Sequence, residues 1–174
     1  MVLSEITGTA LLNRSAVERI ESNERFSKWA WLFIIIQAII DAIATYVGTG
    51  SSAPLNVIIR LVTLGFVSTL VLFFSIAIAG NLLGGKTSFG EILRVTGFIL
   101  PVSWIIGIGF IFLPNLTIIW FVGVLYIICL YIYVLMVAIG KGALTAIISL
   151  ILGSFIAIII IIVVSTGLII LLPY

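Results

Sequence analysis

Apolar residues in this chain fall in long, nearly unbroken runs. They form neither the strict alternation of a half-buried strand nor the narrow stripe of a soluble amphipathic helix. The runs cover about Lys28 to Val47, Val57 to Leu83, Phe89 to Leu113, Leu116 to Ile139 and Ala143 to Leu172. A membrane-spanning helix needs roughly 20 predominantly apolar residues, and each run reaches that length. The pattern therefore predicts an all-α, polytopic integral membrane protein with five transmembrane helices. Residues 1–27 form a polar leader and residues 28–174 the five-helix membrane domain. The first run is too long for the 7–15-residue apolar core of a signal peptide, so it reads as a retained anchor although Ser51-Ser52-Ala53 follows it.

Local signals refine these elements. Ser15 and Glu18 have capping-box spacing, and Glu21 and Arg25 stand four apart in the favourable order for a helical pair. The leader's apolar stripe is thin, so it fits either a short interfacial helix or a solvated, mobile segment. Ser88 and Glu91 repeat the capping spacing and predict a helix start near Phe89. Pro101, inside the third run, removes a backbone hydrogen bond and predicts a kink there. The fifth run exceeds the bilayer thickness, predicting tilt or a bend near Gly153. A short uncharged loop is expected at Gly48 to Asn56 and a tight uncharged turn at Pro114-Asn115.

Composition agrees with the pattern. The chain is 63% hydrophobic and 8% charged, against about 25% charged in an average soluble domain. Eight Lys and Arg stand against six Asp and Glu, a balance too even to point to nucleic acid. There is no histidine, which removes serine–histidine and cysteine–histidine catalysis from this chain, together with a leading zinc ligand. The lone Cys129 cannot form an internal disulfide and reads as a buried structural thiol. No catalytic, cofactor-binding or metal-binding set is expected, and the protein is not read as an enzyme.

Charge placement is more informative than its total. With five spans, the leader, the second connector and the last turn share one side. That side collects Arg14, Arg19, Arg25, Lys28, Lys86, Arg94 and Lys141, while only Arg60 falls opposite. Basic loops favour the cytoplasm, so the N-terminus is expected inside and the C-terminus outside. On the inner side, Lys86, Ser88, Arg94 and Lys141 form a candidate face for anionic lipids or a protein partner. The partner is unnamed, and a homo-oligomer is compatible with the pattern. Within the membrane, Gln37, Asp41 and Arg60 are costly to bury. They form a candidate polar site in which Asp41 and Arg60 meet as an ion pair, either fixing the first hairpin or serving transport. Gly80, Gly84, Gly97 and Pro101 are assigned to close packing, turns and kinking.

The sequence Gly84-Gly85-Lys86-Thr87-Ser88-Phe89 follows a span, then come Arg94 and Gly97-Phe98-Ile99-Leu100-Pro101. This resembles the Yip-domain family, Rab-GTPase-interacting membrane proteins of the secretory pathway with bacterial and archaeal relatives. The last segment is similar to that family's glycine–aromatic–x–leucine–proline element, and Glu18 to Trp31 is similar to the approach to the first span in prokaryotic members. The resemblance implies five spans and a cytoplasmic N-terminus. For eukaryotic members it also implies GTPase binding and vesicle trafficking. This chain lacks their Asp-Leu-Tyr-Gly-Pro motif and has a short leader, so GTPase binding is not carried over. A prokaryotic-type member in the cytoplasmic membrane fits better. The expected role is a scaffold or adaptor in membrane organisation or trafficking, with a small transporter or channel built on Asp41 and Arg60 as the alternative.

Overall fold

A computed structural model describes residues 2–48, 55–105 and 117–171. Among them all regular structure is helical and there is no strand. Helices α1 (Val2–Ala10) and α2 (Arg14–Ser22) make an antiparallel hairpin, and a 3-10 turn (Glu24–Phe26) leads into α3 (Ser27–Gly48). Then come α4 (Leu55–Leu82), α5 (Phe89–Gly97), α6 (described over 100–105), α7 (Thr117–Ile139) and α8 (Ala143–Leu171). Among the described residues four stretches are long and apolar enough to cross a membrane: Glu24–Ile43, Val57–Leu82, Phe121–Ile139 and Ala143–Val163. The expected end of the third span and the Pro114-Asn115 turn lie outside the described residues, as does most of the loop between the first two spans.

The long helices pair α4 with α8, α3 with α4, and α7 with α8. The short α5 sits among them and packs on α2, α3, α4 and α7. Its Ile92, Leu93 and Val95 are all buried, as are Phe98 and Ile99 just beyond it. Close approach is bought with small residues. A Cβ placed on Gly97 would lie 2.8 Å from the Cβ and 3.0 Å from the Cα of Ala30, so α5 and α3 meet almost backbone to backbone. At Gly153 the same test finds the Ile76 Cα at 2.8 Å. Gly153 is thus where α8 crosses α4, and α8 is a continuous helix through it.

Aromatic rings line the α3–α5 side in edge-to-face pairs, a favoured ring geometry. Phe98 meets Phe26 at 5.4 Å and Phe33 at 5.3 Å, and Phe33 meets Trp104 at 5.9 Å.

Several local expectations need correction. The third run is not one helix kinked at Pro101. The helix breaks earlier, at Phe98 and Ile99, and Pro101 stands in the first turn of α6, where a missing N–H leaves no bond unmade. The start of α2 is not a Ser15–Glu18 capping box. Asn13 caps it, accepting from the Ser15 and Ala16 amides, while Glu18 is drawn to Arg14 at 2.7 Å. Glu21 and Arg25 do not pair, because α2 ends at Ser22 and Arg25 falls in the 3-10 turn. Cys129 is exposed on the surface of α7 rather than buried. The leader is helical and packs one face inward, with Ala16, Val17 and Ile20 buried.

Candidate functional site

The candidate face is built by two helix ends. An α-helix leaves its last carbonyls without intrahelical donors, and a glycine in the left-handed region lets the chain turn back to satisfy them. At the end of α4, Gly84 takes φ +80. Its amide donates to the Asn81 carbonyl at 3.0 Å and the Gly85 amide to the Gly80 carbonyl at 3.0 Å. At the end of α7, Gly140 takes φ +68, its amide donates to Val137, and the Lys141 amide reaches Met136. The two turns touch. A Cβ on Gly85 would be 2.4 Å from Ile139 Cγ2, and one on Gly80 3.2 Å from Ile139 Cδ1. Lys141 Nζ comes within 4.0 Å of the position a Cβ would take on Gly84.

Asn81 then clamps the connector. Its side-chain amide donates to the Thr87 carbonyl at 2.8 Å and its Oδ1 accepts from the Thr87 amide at 2.9 Å. One residue on, Ser88 starts α5 with the expected reciprocal cap. Its Oγ accepts from the Glu91 amide, and its own amide donates to Glu91 Oε2. Ser88 is therefore a capping residue at the face. Lys86 and Lys141, held on the two turns, are exposed.

Arg94 is not on the face with them. It is 9% exposed, and its guanidinium crosses to the leader. Nε donates to the Glu21 carbonyl at 2.9 Å, a second nitrogen to the same oxygen at 2.5 Å, and a third to Ser27 Oγ at 3.5 Å. Glu21 is in the last turn of α2, so Arg94 supplies the donors its terminal carbonyls lack and sets a cation at the negative end of the helix dipole. Sequence reasoning grouped Arg94 with Lys86 because both are basic and near in the chain. The contact that buries it joins residues 73 apart, and no local pattern marks it.

Between α2, α7 and the Gly140 turn lies a cleft of about 280 Å³, whose polar walls are Arg14, Glu18, Glu21, Tyr133 and Lys141. The Glu21 carboxyl faces two other acids here. Burial and the charges of Glu91 and Glu18 push its pKa above the usual 4.5, while Arg94 opposes the shift. The Arg14 guanidinium is pushed up by its hydrogen bond and charge pairing with Glu18.

The intramembrane polar residues are arranged differently from the expected pair. Gln37 Nε2 donates to Asp41 Oδ1 at 2.7 Å, and Gln37 Oε1 accepts from Trp104 Nε1 at 2.5 Å. Gln37 is thus held at both ends, joining α3 to α6. Asp41 is three residues beyond Ala38, where α3 passes Gly65 of α4, and Arg60 is five residues from Gly65. Shared depth does not bring them together: among the described residues the ion pairs join Arg14 to Glu18 and Arg19 to Glu5, and none joins Asp41 to Arg60. Nor is there a metal-holding group of His, Cys, Asp and Glu among the described residues.

Comparison with known proteins adds one positive result. Residues 9–172 match the Yip1 domain. Neither the curated proteins nor the solved structures yield a match.

Proposed function

The chain belongs to the Yip1-domain family, and from that premise we propose that this integral membrane protein is a non-enzymatic scaffold or adaptor. It organises the membrane through a basic face that gathers anionic lipid headgroups. The observation that carries this reading is the meeting of the two glycine turns. They bring Lys141 Nζ within 4.0 Å of the position a Cβ would take on Gly84, two residues before the exposed Lys86, and Lys141 shares a cleft with Arg14 of the leader. A basic group near an anionic leaflet contributes about 1 kcal/mol, so a few such groups acting together suffice for selective enrichment.

The same contact supports five spans. The ends of α4 and α7 touch, at Gly80 and Ile139. If both helices cross the membrane in the same direction, the chain between them must cross back. The α5–α6 segment is that return. The exposed basic residues of the leader and turns then share one side, with Arg60 opposite, which supports a cytoplasmic N-terminus and an external C-terminus.

Charge reversal of the turns tests the reading. Lys86→Glu with Lys141→Glu should insert and melt like the parent but lose its preference for spin-labelled phosphatidylglycerol over phosphatidylcholine. A preference unchanged by both reversals rejects the face. Arg94 is left intact because its replacement would undock the leader and confuse the result.

A further inference from the structure

The α1–α2 hairpin has a surface that the basic face does not account for. Residues 2–13 contain one ionisable side chain, Glu5. It is buried, with its carboxylate held by Arg19 at 3.2 and 3.1 Å. The exposed apolar side chains of α1 and the tip are leucines: Leu3 is 78% exposed, Leu11 75% and Leu12 40%. The exposed charges, Arg14, Glu18 and Arg19, all stand on α2. Leu12 also stands where turn chemistry favours glycine. The Leu12 amide donates to the Thr9 carbonyl and the Asn13 amide to that of Gly8, the bonding of the two glycine turns described above. Yet Leu12 reaches φ 55 with a full side chain, a conformation that is strained for any residue but glycine.

Depth decides what these leucines meet. The Tyr126 hydroxyl donates to the Ala10 carbonyl. Tyr126 lies within the apolar span Phe121–Ile139, thirteen residues before Ile139, which is on the order of 20 Å along the helix at 1.5 Å per residue. The hydrocarbon core is about 30 Å thick. The hairpin tip is therefore beside the interior of a membrane span and not beside its end. Around Tyr126, α7 itself exposes Val122, Leu125 and Cys129, so leucine surface on the hairpin continues lipid-facing surface on the span. The nine residues of α2 climb back from the tip toward the connector. Arg14, at the foot of that climb, is neutralised by Glu18 and borders the same cleft as Lys141. A long cationic side chain can reach polar surroundings while its stem stays in apolar ones.

We propose that the α1–α2 hairpin dips into the acyl region from the connector side, with Leu3, Leu11 and Leu12 against lipid chains. The hairpin is then a membrane-inserted wedge. This is independent of whether Lys86 and Lys141 bind anionic headgroups.

Site-directed spin labelling tests it. The full chain carries Cys129→Ala together with Leu11→Cys or, separately, Leu3→Cys, and is labelled with a nitroxide in phosphatidylcholine vesicles. The label on native Cys129 serves as the lipid reference, and one at Arg25→Cys (in the Cys129→Ala background) as the water reference. Both leucines are on the surface, so their replacement leaves the core intact. The expected result is a several-fold higher ratio of oxygen to nickel-chelate collisions at positions 3 and 11 than at 25, close to that at Cys129. A ratio at position 11 equal to that at 25 would place the tip in water and overturn the proposal. Low access to both reagents at position 11 would mean that a second copy of the chain covers the leucines, and would overturn it equally.

Discussion

Replacing Arg94 with methionine should release the leader while leaving the membrane helices in place. Methionine keeps much of the apolar stem and removes the guanidinium. Two nitrogens of Arg94 converge on the Glu21 carbonyl and a third reaches Ser27. A hydrogen bond from a charged donor contributes about 1.5–3 kcal/mol, and at 9% exposure water replaces little of it. Both strong bonds end on one oxygen, so they are counted together at about 2 to 3 kcal/mol. At about 1.4 kcal/mol per factor of ten, that is roughly a 30- to 150-fold rise in the open population. Amide hydrogen exchange over Val17 to Ser22, in detergent or nanodiscs, should accelerate by this factor, with α4 and α8 unchanged. Arg94→Lys should fall between, since a point charge cannot reproduce the forked contact. The reasoning fails if α2 exchange is the same in Arg94→Met as in the parent. It fails equally if α8 accelerates as much as α2, because the loss would then be global.

Further outcomes follow from the same contacts. Gly97→Ala should lower the melting temperature, by the equivalent of about 1–3 kcal/mol for an overpacked contact. Adding Ala30→Gly should recover only part of the loss, because the Ala30 Cα and carbonyl remain at 3.0 and 3.3 Å; a parental melting curve for Gly97→Ala would show that the helices can part freely. Glu21 has a raised pKa in the folded state, so the folded chain holds a proton that the unfolded chain releases. Its penalty is absent below about pH 4.5 and grows as pH rises through the folded value. Glu21→Gln should therefore melt higher than the parent at pH 7, with the difference vanishing near pH 4. An equal difference at both pH values would assign the effect to packing.

Four membrane-capable helices were legible because hydropathy is a sum over neighbours in the chain, and lipid rewards that sum directly. The Ser88–Glu91 cap and the Gly84 and Gly140 turns were open to the same kind of reading, since the partners lie within five residues of one another. What tertiary structure decided is which polar groups find partners. Arg94 and Lys86 look alike in the chain, yet one is buried under the leader and the other is free on a turn. Asp41 and Arg60 share a depth, yet Gln37 and Trp104 form the polar chain to Asp41. The leader's leucines carry no periodicity that reveals depth; the Tyr126 contact with Ala10 does, joining residues 116 apart. Such pairings depend on how rigid helices cross at Gly97 and Gly153, and a crossing is a property of two surfaces that no single stretch of sequence contains.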